Sequence, residues 1–313
     1  MSAPAGCRVA VVDVGSNSVR LFLCEGIGAH GPVGERYATV TGLRRGAGAD
    51  GAVAADALAR LAECLAGDAD RIEAFAPDRV VAVATSAVRD APNRDEVGDV
   101  ILRRLGARMR VLSGDEEARA AFAGARLAAE GGGPIMVVDV GGGSTELVRG
   151  GPAGPEAAVS LQLGAVRQTE RHLRGDPPAP AELEALRAEA LGLLRPAVEA
   201  VGGPAPGVGV AGTVTSLAAI EIGRYDRALV HRHRLSRAAV EALTRRLAAM
   251  GARERREVPG LDPARAGVIV AGAVIVAAAM DAAGWEELMV SETDLLDGVA
   301  LAAARRPAGS FRL

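Results

Sequence analysis

Lysine is absent from all 313 residues, so the 36 basic side chains are arginines. That absence excludes a Walker-type lysine on a phosphate loop, a kinase-type strand lysine and Schiff-base chemistry. Any phosphate must therefore be met by backbone amides, hydroxyls, arginine or a metal. Aromatic residues make up only 2% of the chain, too few for base stacking to organise nucleic-acid binding. Cysteine is scarce: Cys7, Cys24 and Cys64 are odd in number and lack C-x-x-C spacing, which predicts reduced thiols and a cytoplasmic setting. No basic-then-apolar leader opens the chain, because Asp13 interrupts the first apolar run. The apolar uncharged run 266–280 falls short of the roughly 20 residues that span a bilayer and reads as a buried helix. A net charge of −3 gives no global attraction to nucleic acid or membrane.

What is present is an ordinary folded composition, 49% hydrophobic and 24% charged, with length for two domains. The patterns predict strands at 8–14, 18–25, 37–42 and 79–85, helices at 52–75 and 93–105, and an extended stretch at 107–112. A helix over 115–130 follows, then strands at 135–140 and 144–149. The remainder reads as mostly helical, with short strands near 208–211 and 287–291. Strands mixed with helices of this length indicate an α/β protein.

The sequence Val11-Val12-Asp13-Val14-Gly15-Ser16-Asn17-Ser18-Val19-Arg20-Leu21 returns, 126 residues later, as Val137-Val138-Asp139-Val140-Gly141-Gly142-Gly143-Ser144-Thr145-Glu146-Leu147, with seven of eleven positions identical. Such a repeat signals duplicated domains that open with the same strand-turn-strand hairpin. Glycines let amide N–H groups converge on an anion, and the serines add donors. Asp13 and Asp139 would repel a phosphate in a partly dry site. A hard divalent cation, Mg²⁺ held largely through water, removes that conflict. The segment Gly209-Val210-Ala211-Gly212-Thr213-Val214-Thr215-Ser216 reads as strand-turn-helix and offers a further anion seat at a helix N-terminus.

Five blocks in order resemble the exopolyphosphatase / guanosine pentaphosphate phosphohydrolase (Ppx/GppA) family. They are Asp13-Val14-Gly15-Ser16-Asn17-Ser18, Thr85-Ser86-Ala87-Val88-Arg89-Asp90, Ser113-Gly114-Asp115-Glu116-Glu117-Ala118, Asp139-Val140-Gly141-Gly142-Gly143-Ser144-Thr145-Glu146 and Ala211-Gly212-Thr213. The resemblance covers nearly the whole chain and matches the short, two-domain members. It implies two duplicated actin-like (ribonuclease H-like) domains with a cleft between them. The expected division is 1–114 plus 299–313 for the first and 115–298 for the second. It implies a hydrolase acting on short-chain polyphosphate or the 5′-phosphate of guanosine pentaphosphate, without nucleic-acid or membrane partners; a homodimer is compatible with it. The implied phosphate-binding residues are Gly15, Ser16, Asn17, Ser18, Gly141, Gly142, Gly143, Ser144, Thr145, Gly212 and Thr213. Asp13, Asp139 and Glu146 are the expected metal set, with Glu146 either holding metal-bound water or pairing with an arginine.

The family's catalytic glutamate falls on the third block. Ser113 and Glu116 have capping-box spacing, which gives Glu116 a structural duty and leaves Glu117 as the candidate general base, with Glu116 the alternative. A first-turn position predicts that this carboxylate stays ionised. Arg89 is expected either to stabilise charge on the transferred phosphoryl group or to form an ordinary ion pair. His30, His172, His231 and His233 show no metal-ligand spacing. The stretch containing Arg224, Arg227, Arg232, Arg234 and Arg237 reads either as a solvated face or as a rim for trailing phosphates. A kinase on the same superfold and a non-catalytic alarmone sensor are the competing functions.

Overall fold

The computed structural model describes residues 7–29, 31–46 and 51–305; His30 lies outside them. The chain divides into two compact units, Met1–Ala120 with Leu295–Leu313 and Ala121–Asp294. The first division falls inside the helix Gly114–Ala125, later than the expected position at 114/115, so Glu116 and Glu117 go with the first unit.

In the first unit, β1 (Val9–Val14) is buried along its whole length. It pairs antiparallel with β2 (Ser18–Gly28), which pairs antiparallel with β3 (Gly31–Val40). On its other side β1 runs parallel to β4 (Arg79–Ala84), and β4 parallel to β5 (Met109–Val111). The near-continuous apolar sequence of β1 suits a strand covered on both faces. Ala10, Val12 and Val14 enter one core with Ala57, Leu61 and Leu65 of the helix Ala55–Phe75. Strand alternation therefore sends Asp13 to the opposite face.

In the second unit, β6 (Ile135–Val140), β7 (Thr145–Gly151), β8 (Gly154–Leu161), β9 (Gly207–Val210), β10 (Arg234–Ser236) and β11 (Glu287–Val290) form one sheet of order β10-β11-β9-β6-β7-β8. Its run β8-β7-β6-β9-β11 repeats the order and directions of β3-β2-β1-β4-β5. The duplication seen in eleven residues thus extends to the whole sheet, in the ribonuclease H-like, actin-like order. β10 is an added antiparallel edge. The apolar run ends up in the helix Ile269–Ala283, thirteen of whose residues are buried. Among the described residues no helix is long and apolar enough to cross a membrane.

Three elements depart from expectation. β3 begins at Gly31, not near 37, because its charged residues Glu35 and Arg36 belong to an exposed edge strand. β8 was hidden by Gly154 and Pro155; proline is tolerated there because the strand is an edge. The helix expected over 115–130 stops at Ala125. Its last turn tightens through the bonds Leu127 N–H to Gly124 O and Ala128 N–H to Ala125 O, the short-range pairing typical of helix ends.

Candidate active site

The two hairpin turns are closed identically. Gly15 N–H donates to Ser18 O and Gly141 N–H to Ser144 O, both at 3.0 Å. Around the second turn, Gly141 O accepts from Ala165 N–H at 2.9 Å and Gly142 O from Val166 N–H at 2.8 Å. Gly143 O accepts from the Arg167 Nε–H at 2.8 Å. Three consecutive carbonyls are thus drawn to the helix Ala165–His172. In a trans peptide the N–H points opposite to its own C=O, so the amides of Gly142, Gly143 and Ser144 face the other way, together. That is an anion nest built by the backbone. Gly164 makes it possible: a Cβ there would come within 2.4 Å of Gly142 O.

The first turn is held by a different segment to the same effect. Asn17 O accepts from Gly42 N–H at 2.8 Å and Ser16 O from Arg44 N–H at 3.1 Å, which aims the Asn17 amide away from 42–44. The Asn17 side chain is 9% exposed, and its Nδ2 is buried without a hydrogen-bond partner among the described residues. Donors are seldom left so, which makes this one a candidate contact for an anion. Ser16 Oγ lies 3.3 Å from Ser86 Oγ.

Close by are two ion pairs. Arg20 stands opposite Asp13 in the β1–β2 register and donates to Asp13 Oδ2 from Nε at 3.0 Å and from Nη2 at 2.7 Å. Arg89 Nη1 donates to Glu117 Oε2 at 2.9 Å and to Leu112 O at 2.8 Å. The capping box is present as expected: Glu116 N–H donates to Ser113 Oγ at 3.2 Å and Ser113 N–H to Glu116 Oε2 at 2.9 Å. Glu116 also pairs with Arg110. Glu117 is thereby released from helix capping and lies buried, 7% exposed.

The expectation that Glu117 stays ionised does not hold. Burial pushes its carboxyl up to about 7, against the downward pull of the Arg89 hydrogen bond and charge; Asp13 adds to the rise and Arg20 opposes it. Desolvation outweighs the two arginines. Poised near neutrality, this carboxylate is matched to proton transfer.

In the second unit, Asp139 and Glu146 are cross-strand partners on β6 and β7. Both are buried, and they share one face of the hairpin. Ser160 Oγ donates to Glu146 Oε1 at 2.7 Å. Two hard oxygen donors side by side fit a largely hydrated Mg²⁺. Among the described residues no group of three or more His, Cys, Asp or Glu is arranged as a metal cluster, and Asp13 already has a cation in Arg20. The duplicated positions therefore differ: Asp faces Arg in the first hairpin and Glu in the second.

Thr145 is fully buried and donates its hydroxyl to Leu163 O, so its expected contact to phosphate is replaced by a structural one. Thr213 Oγ1 donates to Val140 O at 3.2 Å, tying the helix Ala211–Ile222 to the end of β6. Ala211 takes φ +68°, an uncommon left-handed conformation for alanine. Gly212 lies directly under Arg265: a Cβ there would sit 2.2 Å from a guanidinium nitrogen. An arginine over a helix N-terminus strengthens the anion seat read from the sequence. Arg167 and Arg265 escaped the sequence reading because neither stands in a motif. Arg20 could have been found, since hairpin register alone places it opposite Asp13.

The basic stretch is charge-compensated. Arg224 pairs with Asp226, Arg227 with Glu292, Arg232 with Glu130, Arg234 with Glu287 and Arg237 with Glu286. His233 bonds Glu221 and His172 bonds Glu189, while His231 Nδ1 accepts from Glu292 N–H. The solvated-face reading describes this stretch.

Comparison with known proteins agrees with this architecture. The Ppx/GppA phosphatase family model matches residues 29–306. Exopolyphosphatase 2 of Mycobacterium tuberculosis is 37% identical over 318 residues, covering 95% of this chain and 98% of that protein. A crystal structure of an exopolyphosphatase-like protein aligns with TM-score 0.88 at 35% identity, covering 96% of this chain and 99% of that one. The Aquifex aeolicus Ppx/GppA member aligns with TM-score 0.80 at 29% identity, covering 97% and 99%. The chain belongs to the Ppx/GppA phosphatase family.

Proposed function

We propose that this phosphatase removes the terminal phosphate of inorganic polyphosphate, releasing orthophosphate, with Glu117 as general base. The observation that carries this reading is the state of Glu117. It is buried, excused from the capping box by Glu116, bonded to Arg89 at 2.9 Å and raised to about 7. A water beside Glu117 gives up its proton to the carboxylate as its oxygen attacks the terminal phosphorus. The bridging P–O bond breaks, and its electron pair leaves with the shortened chain. Glu117, now neutral, no longer balances Arg89, whose charge turns to the phosphoryl oxygens. In the second unit, the amides of Gly142, Gly143, Ser144, Gly212 and Thr213, with Arg265, bind phosphate oxygens; in the first unit Asn17 does so. Asp139 and Glu146 would hold a hydrated Mg²⁺, which supplies charge neutralisation when bound. The name of the Mycobacterium tuberculosis relative supports polyphosphate over guanosine pentaphosphate as the main substrate.

The test is orthophosphate release from tripolyphosphate, long-chain polyphosphate and guanosine pentaphosphate, side by side, with Mg²⁺ and with chelator. Release from both polyphosphates only with Mg²⁺ is the expected result. Turnover of guanosine pentaphosphate alone would reassign the substrate, and turnover of none would remove the hydrolase reading.

A further inference from the structure

The segment that holds the first turn has features that turn-holding does not require. Thr41 is 4% exposed, and its Oγ1 is buried without a hydrogen-bond partner among the described residues. Across the bond from Gly42 N–H to Asn17 O lies the equally unsatisfied Asn17 Nδ2. Gly42, at φ +58°, lets the chain double back so that the Arg45 side chain folds over it: a Cβ on Gly42 would meet Arg45 Nε at 3.4 Å and Cζ at 3.5 Å. Arg45 is exposed, and no carboxylate pairs with it among the described residues. That sets it apart from the arginines of 224–237, each of which lies within 4 Å of a carboxylate. Among the described residues, two buried donors without acceptors and a guanidinium without a carboxylate partner thus share one turn.

We infer that Thr41–Arg45 is a second phosphate subsite of the first unit, in which Asn17 Nδ2 and Thr41 Oγ1 take one phosphate and Arg45 takes the next phosphate along a polyphosphate chain. The inference rests on the polyphosphate reading above and assigns the grip on the chain to Arg45, not to the basic stretch. Arg45 then discriminates by length: a single phosphate does not reach it, whereas a tripolyphosphate does.

Binding in chelator separates this from turnover. Inorganic phosphate and tripolyphosphate are titrated into wild type, Arg45→Gln and Thr41→Val at several salt concentrations, with melting curves as a check on folding. Arg45→Gln should weaken tripolyphosphate about fivefold and lower the slope of log affinity against log salt by about one, with inorganic phosphate unchanged. Thr41→Val should weaken both anions without lowering the melting temperature, because the lost hydroxyl has no protein partner. Equal weakening of both anions by Arg45→Gln, or unchanged tripolyphosphate binding, would overturn the subsite. If the binding pattern appears but no phosphate is ever released, the hydrolase reading fails and the subsite stands. A wild type that binds neither anion in chelator overturns the subsite and leaves the hydrolase reading to the Mg²⁺-dependent release assay.

Discussion

Arg89 Nη1 bridges Glu117 Oε2 at 2.9 Å and Leu112 O at 2.8 Å, so the guanidinium is anchored to the backbone while it faces the carboxylate. The anchor fixes the arginine whether or not Glu117 carries a proton. Because Arg89 lowers the Glu117 pKa, removing it must raise that pKa further. The acid limb of the wild-type kcat/KM profile should lie near pH 7, and Arg89→Gln should move it to higher pH as well as reduce the rate. A limb that stays in place in the variant would mean that Arg89 does not govern the titrating group.

The same burial has a cost in stability, with a defined sign. Glu117 rises from an ordinary 4.5 to about 7, so the folded state binds its proton more tightly than the unfolded chain does. Stability from this group is complete below about pH 4.5 and is lost as pH rises toward 7. The loss amounts to at most about 3 kcal/mol. Glu117→Gln does not titrate, so its melting temperature relative to wild type should climb between pH 5 and 8. A difference independent of pH would show that Glu117 keeps an ordinary pKa.

Gly164 should tolerate no side chain. In Gly164→Ala the new Cβ meets the backbone of Gly142 and Gly143 at 2.4 Å, and backbone cannot swing aside. Phosphate affinity and stability should both fall, the latter by more than the roughly 1 kcal/mol typical of a point substitution. Wild-type anion affinity in this variant would show that the nest is not the seat.

Asp139→Asn should raise the Mg²⁺ concentration needed for half-maximal turnover while leaving the fold intact. Asp13→Asn should act chiefly through the loss of its Arg20 partner, with a smaller effect on the Mg²⁺ requirement. Full activity of wild type in excess chelator would remove the metal from the account.

Much of this was legible in the residues. The repeat at 11–21 and 137–147 pointed to duplication because buried strands and tight turns constrain each position. Ser113 and Glu116 announced their capping box, since that motif is local. What stayed hidden depended on long-range packing. Nothing near Glu117 in the chain says that it is buried, so its first-turn position suggested an ionised group. Thr145 looked like a phosphate donor until Leu163 O, eighteen residues on, claimed its hydroxyl. The arginines of 224–237 looked like a grip because their carboxylates, among them Glu130, Glu287 and Glu292, are remote in sequence. β8 was lost to Gly154 and Pro155, which in isolation signal a break.

The division of labour between adjacent glutamates is the centre of the account, and one assay addresses it. Orthophosphate release from tripolyphosphate with Mg²⁺ is measured for wild type, Glu117→Gln and Glu116→Gln, each shown to be folded. Loss of the general base should lower the Glu117→Gln rate by about 10²–10⁴-fold. Gln can keep the capping-box bond of Glu116, so Glu116→Gln should lose little stability and keep its rate within a few-fold of wild type. Near-normal turnover in Glu117→Gln with a collapse in Glu116→Gln would contradict the assignment.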